Sequence, residues 1–308
     1  MNALIGLIIV CASVAGGYIA MGGNIMTLWQ PFEVIIIVGS AIGAYIIGNS
    51  TAVLRDTLTA VGQLMRGPRY NRDDFLELLS ALYGVFRIAH KDGVMALDRM
   101  LEDPGSQEPF RRHPSIVNNV EAMGFLTDYL RLISLGAERP EELEALIAED
   151  IDTKRREYHR VSSALQRMAD ALPALGIVAA VLGVIKTMGS IDQPPEVLGS
   201  MIGGAMVGTF LGVLLSYGAV GPLAARIRTL RDQELKYFDC IRVALLAYLE
   251  GYAPAICAEY ARKVLYQELQ PTFEQVEEVT SNANRRQRLE GDATGDDGVG
   301  AGPRVQPA

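Results

Sequence analysis

Between Glu196 and Arg226 the chain runs for 29 residues without one charged side chain. A helix needs about 20 apolar residues to cross the hydrocarbon core of a bilayer, and a buried helix of a soluble protein needs fewer. The stretch from Leu198 to Pro222 therefore predicts a membrane helix. Its neighbour is shorter, with only 15 uncharged residues between Asp170 and Lys186. At ~1.5 Å per residue that run covers roughly 22 Å of a core about 30 Å thick. It spans if the helix continues to about Ser190 and Lys186 extends its amine to the far interface. The two stretches read as a transmembrane pair joined by a short acidic turn.

Residues 1–54 hold a single charge, Glu33. Leu4–Met21 and Val34–Leu54 predict two more spans, separated by the turn GGNIMTLWQP. A cleaved signal peptide needs a positive n-region, and no Lys or Arg precedes Arg55. The residues before Cys11 make a poor lipoprotein cleavage context, so the first stretch is expected to be a retained helix. A hydrophobic content of 49% with a mean hydropathy of +0.18 fits a few spans plus large water-exposed parts. The net charge of -8 argues against a nucleic-acid partner. Cys11, Cys240 and Cys257 lack metal-ligand spacing and are expected to be reduced, buried and unbridged.

Arg55 to Asp170 belongs to a different solvent, with 16 Lys/Arg and 20 Asp/Glu. In DDFLELLSALYGVFRIAHKDG, Phe75, Leu78, Leu79, Leu82, Val85 and Phe86 fall on one helical face. Pro104, Gly105, Pro109 and Pro114 punctuate a loop. An amphipathic helix over IVNNVEAMGFLTDYLRLISLG and a long polar one from Pro140 follow. After Pro222 an amphipathic helix runs to about Tyr252, a further helix covers APAICAEYARKVLYQEL, and the polar segment 281–308 is expected to be a disordered tail. The expected fold is an all-α membrane protein: spans in 1–54, a helical cytoplasmic loop domain in 55–169, spans in 170–222, and cytoplasmic helices in 223–280. The two short connections carry no Lys or Arg, whereas the central loop carries 16 and the part after Pro222 carries 11. Basic residues stay cytoplasmic, which places both termini and the loop there.

The predicted spans contain no Asp, Glu or His. Ionisable groups at membrane depth relay protons or bind ions, so a chain that moves ions without them takes its carboxylate from another subunit. Lys186, near a helix end, is suited to snorkelling more than to relay. Gly204, Gly208 and Gly212 recur every four residues and clear one face for a close helix, either from the same subunit or from a partner. Gly199 with Gly203, and Gly39 with Gly43, repeat the device. Thr209 adjoins this row, and Ser216 lies two turns further on; a membrane Thr usually bonds its own backbone. Pro173 reads as a first-turn residue with Asp170 as a nearby cap. Pro222 is expected to bend or break the fourth helix, which would make the two prolines a pair of hinges.

The segments LPALGIVAAVLGVI, AMVGTFLGVLLSYGAVGPLA and GYAPAICAEYARKVLY resemble the MotA family of flagellar motor stator proteins. GGYIAMGG, QPFEVIIIVGSAIGAYIIGN, LEDP and DYLRLI agree in order, so the likeness covers about residues 1–280. The resemblance implies a non-enzymatic inner-membrane protein without cofactors, coupled to protons. It implies copies of this chain, about five, around two copies of MotB, whose membrane helix carries an essential aspartate and whose outer domain grips peptidoglycan. Ion flow then turns the ring, whose cytoplasmic loops push the rotor protein FliG. Pro173, Pro222, Asp170 and Thr209 take the family's ion-path and MotB-facing positions. Ala180 stands where sodium-driven relatives carry a Thr, which favours protons. The family's rotor-facing Arg and Glu align with His90 and Asp98. Asp98 keeps its sign, whereas His90 is largely neutral at pH 7, so Arg87 or Lys91 is expected to share the basic role.

The related TolQ/ExbB energisers are the alternative, but they have three helices, whereas residues 1–54 hold two spans of their own. A self-contained transporter would show broken helices around an ionisable midplane site or an internal repeat, and neither is present in the sequence. An enzyme has no nucleophile–base or metal-ligand cluster to support it.

Overall fold

The computed structural model describes residues 2–105, 108–137 and 139–281. It is all-α: α1 (Asn2–Ala20), α2 (Pro31–Gly48), α3 (Thr51–Arg66), α4 (Arg72–Asp92), α5 (Val94–Glu102), α6 (Pro114–Val117), α7 (Val120–Ser134), α8 (Pro140–Met188), α9 (Pro195–Leu215), α10 (Gly221–Leu249) and α11 (Pro254–Lys263), with no strand among the described residues. Two compact units emerge, one from Met1–Arg69 with Thr153–Asp232, the other from Tyr70–Asp152 with the chain from Gln233 onward. The expected tail over 281–308 lies, from 282 on, outside the described residues.

The first unit holds the membrane helices. Ile25–Gly48, part of α8 and part of Pro195–Leu249 are long and apolar enough to cross a bilayer, and Leu4–Ala20 is a shorter apolar helix. The second span differs from the sequence expectation at both ends. The second span starts at Pro31, whose fixed φ suits a first turn, and stops at Gly48 instead of Leu54. There Asn49 turns extended and donates to the Tyr45 carbonyl at 2.7 Å, and Leu54 belongs to α3. Tyr45 and Thr57 hydroxyls, 2.6 Å apart, tie α2 to α3.

The polar helix from Pro140 and the third span are one helix of 49 residues. Pro173 is therefore an interior proline, and Asp170 caps nothing. Pro222 does not break the fourth helix either. A π-turn over Ser216–Val220 widens it, and α10 continues directly. A proline ring crowds the carbonyl four residues back, and one wider turn relieves that crowding without ending the helix.

Apolar packing joins Ile37 and Ala41 of α2 to Leu172 and Ala179 of α8. A second cluster joins Ala60 and Leu64 of α3, Val161 of α8, and Ile227 and Leu230 of α10. Beside it, His159 Nε2 and Asp232 Oδ1 stand 2.8 Å apart, and the Arg231 guanidinium lies 5.4 Å from the Tyr158 ring centre. Cys11 is exposed on α1, against expectation; Cys240 and Cys257 are buried, and all three are free thiols.

The second unit is built around α4. Asn71 caps it, accepting from the amides of Asp73 at 2.8 Å and Asp74 at 3.1 Å, while the Asp74 carboxylate accepts from the Asn71 amide. Phe75, Leu78, Leu79, Leu82, Val85 and Phe86 are all fully buried, as their spacing predicts. Helices α5 and α11 pack on α4, and α7 packs on α5. Rings dominate the interior: Tyr70 stacks on Tyr237 at 4.4 Å, Phe86 on Tyr248 at 4.9 Å, and Phe125 meets Phe238 edge-on at 5.2 Å. The proline-rich loop is less irregular than expected, since it holds a short 3-10 turn, Phe110–Arg112, and α6. The Pro109 ring sits so close to Gly84 that a Cβ there would stand 2.6 Å away. Helix α7 starts later than the sequence suggests, at Val120, because Asn119 accepts from the Ala122 amide and donates to the Tyr70 hydroxyl at 2.6 Å.

Candidate functional site

The glycine row of α9 faces α8 of the same chain. A Cβ on Gly212 would stand 2.7 Å from the Leu172 carbonyl oxygen and 2.8 Å from Gly176 Cα. One on Gly208 would meet Ala179 Cβ and the Ala180 amide nitrogen at 3.1 Å. From the other side, a Cβ on Gly176 would stand 2.8 Å from the Gly208 oxygen, and one on Gly183 2.6 Å from Ala205 Cβ. Backbone touches backbone along this seam, so it has no room for a partner's helix. Of the two occupants that the sequence leaves open, the structure shows the helix of the same subunit. At the top of the row, Gly204 is covered by the amide of Gln30, which donates to the Thr27 carbonyl. A Cβ on any of Gly39, Gly43, Gly199 and Gly203 would meet nothing within 4 Å among the described residues.

The ion-path candidates cluster around the seam to different degrees. Ala180 and Thr209 are half-buried beside Gly208, one on each helix. Thr187, Thr57 and Thr127 bond their own helix carbonyls, as membrane and helix threonines usually do. Thr209 makes no such bond among the described residues, which leaves its hydroxyl available. Pro173 is half-buried within α8, three residues from Gly176. Asp170, one turn earlier, is exposed and accepts from Gln166 at 2.9 Å. Pro222 is exposed just past the π-turn.

Two residues that the sequence names without giving them a role stand out. Because α2 begins at Pro31, Glu33 lies in its first turn, half-buried, with Oε2 enclosed and accepting no hydrogen bond. The spans are thus free of carboxylates at depth but not at this end. The second is Ser216, almost fully buried, whose hydroxyl donates to the Ala169 carbonyl at 2.7 Å. The signal that could have found it is arithmetic: Ala169 lies four residues before Pro173, so its carbonyl has lost its helical donor.

The other candidate set lies in the second unit, where α4 turns into α5 through Gly93. That glycine has φ of 80°, a conformation other residues rarely adopt. His90 and Lys91, in the last turn of α4, and Asp98 on α5 are exposed. Arg87 is half-buried, its guanidinium 5.7 Å from the Tyr83 ring centre. Positive charge in a last helical turn is favoured by the helix dipole. Met95, at the start of α5, is also exposed.

Residues 4–93 match the model described as Motility protein A N-terminal, and residues 118–240 the model of the MotA/TolQ/ExbB proton channel family. The chain is 39% identical over 293 residues to motility protein A of Salmonella typhimurium, covering 94% of this chain and 99% of that one. It is 41% identical over 278 residues to motility protein A of Escherichia coli, covering 90% and 94% respectively. Among solved structures, a C. jejuni MotAB structure matches with a TM-score of 0.69 at 18% identity, over 87% of this chain and 96% of the other. The flagellar MotAB stator complex of Bacillus subtilis gives 0.64 at 22% identity, over 83% and 92%. These two structures bear on the fold alone, and they agree with four membrane helices and a helical remainder. By the length and identity of these matches, the chain belongs to the MotA/TolQ/ExbB proton channel family.

Proposed function

We propose that this chain is the ring subunit of a flagellar stator, in which copies of it surround the membrane helix of a MotB-type partner. The observation that carries this reading is the absence of carboxylates at depth in a proton-channel family: none lies deeper in the spans than Glu33 in the first turn of α2, Asp170 at the start of the membrane part of α8 and Glu196 in the first turn of α9. The proton carrier then comes from the partner, and Ala180 and Thr209 face the path along which it is loaded and discharged. Ala180 offers no oxygen to a sodium ion, which needs several, and this favours protons. The MotAB composition of the two solved relatives supports the partner. A ring of about five copies around two, with both termini and the second unit cytoplasmic, accords with the basic residues of the central and C-terminal parts. In the second unit, Lys91, His90, Arg87 and Asp98 meet complementary charges on the rotor protein FliG.

Vesicles with an internal pH dye test this. The chain alone should pass no protons, whereas the chain with its MotB partner should acidify the lumen under a pH gradient and ignore a sodium gradient. Proton flux through the chain alone would overturn the reading, and flux that needs sodium would overturn the choice of ion. For the rotor face, Lys91→Glu with Asp98→Lys should impair swimming at normal protein levels; full swimming would place the contact elsewhere. Single exposed charges in salt are screened, so each alone should matter little.

A further inference from the structure

Pro173 has no amide hydrogen, and the donor it removes is the one owed to the carbonyl of Ala169. Ala169 is 1% exposed, so its orphaned carbonyl has no water to turn to and needs another group to take it up. Here that group comes from a different helix. The Ser216 hydroxyl, 2% exposed, donates to Ala169 O at 2.7 Å. Ser216 is itself the first residue of the π-turn, and its own carbonyl accepts from the Gly221 amide, the residue before Pro222. The two helices are in contact at this level and press closely one turn away. A Cβ on Gly221 would stand 2.9 Å from the Ser216 oxygen and 4.0 Å from Ala169 Cβ, and Gly212 abuts the Leu172 carbonyl.

We propose that Ser216 is a positioning residue for Pro173: its hydroxyl straps the proline-opened turn of α8 to the widened turn of α9, so that the two proline sites bend as one joint. The strap converts two irregularities into one mechanical element. A change at Pro173 is then felt at Ser216, and through the Ser216–Gly221 hydrogen bond it reaches the residue preceding Pro222. The proposal rests on the stator reading only for its consequence in motility; the strap itself is a property of the chain.

A double-mutant cycle on the purified full-length protein separates the two. Ser216→Ala should lower the thermal midpoint by about 4 °C, the effect of leaving one buried carbonyl without a donor. In a Pro173→Ala background the helix amide returns to the Ala169 carbonyl, and the same serine change should shift nothing. An equal loss in both backgrounds, or none in either, overturns the strap. If the double variant does not accumulate, Ser216→Cys serves instead: it keeps the side chain's shape with a much weaker donor, so it should lower the midpoint, and a midpoint equal to the parent's overturns the proposal. In cells, Ser216→Ala should reduce swimming speed at unchanged membrane levels. Unchanged swimming with the melting cycle as expected would leave the bond in place and overturn its positioning role. Vesicle flux from the chain alone would leave the melting result untouched while ending the stator reading.

Discussion

The two units solve helix packing in opposite ways. In the membrane unit, α8 and α9 approach until side chains vanish from the seam, and Gly176, Gly183, Gly208 and Gly212 let one backbone rest on the other. In the second unit, α4, α7 and α10 are held apart by rings, with Phe75, Phe125, Tyr237 and Phe238 filling the space. The contrast follows from the solvent. Water drives large apolar side chains together, whereas lipid tails are as apolar as leucine and reward only close contact and satisfied polar groups. Small residues are therefore informative in one unit and large ones in the other.

The contrast can be broken by substitution. Phe75→Ala should cost about 3–5 kcal/mol, because a fully buried ring leaves a cavity in a dense interior, and a thermal melt would show it. A loss below 1 kcal/mol would mean that the ring cluster is not what holds the second unit. Gly212→Ala adds one carbon against a backbone carbonyl that cannot rotate away, so it should destabilise by about 1–3 kcal/mol despite alanine's better helix propensity. Gly39→Ala, on α2 where the added carbon meets nothing among the described residues, should change stability by less than about 1 kcal/mol, and in the favourable direction. Matching losses at Gly39 and Gly212 would show that something outside this chain also packs on α2, and the contrast would then extend to the assembly.

Much of this was legible in the residues, for reasons that differ by element. The uncharged run of α9 and the apolar face of α4 are direct records of the solvent each meets. Length and 3.6-residue spacing recover both. The union of the polar and apolar parts of α8 was hidden because Pro173 after Asp170 is what a helix start looks like, and only the tertiary rescue by Ser216 makes an interior proline tolerable there. The start of α2 was misplaced by three residues, which was enough to leave Glu33 in a turn. The glycine row announced a close approach without naming the helix that makes it, since small residues state a distance and not a partner. The α4–α5 corner was foreseen as a charged segment, but nine residues of α5 are too few for periodicity to define a helix.

The widened turn at Ser216–Val220 has a consequence for everything downstream of it. Needing one residue more than an α-turn to go once round, it leaves the rest of the fourth helix about 100° behind where an unbroken α-helix would carry it. Rewinding that turn as α-helix with all its residues kept would swing Ile227 and Leu230 off Ala60, Leu64 and Val161, whereas deleting one residue along with the bulge would leave them facing the cluster. The apparent defect is thus a phase correction, without which the apolar stripe beyond Pro222 would point in the wrong direction.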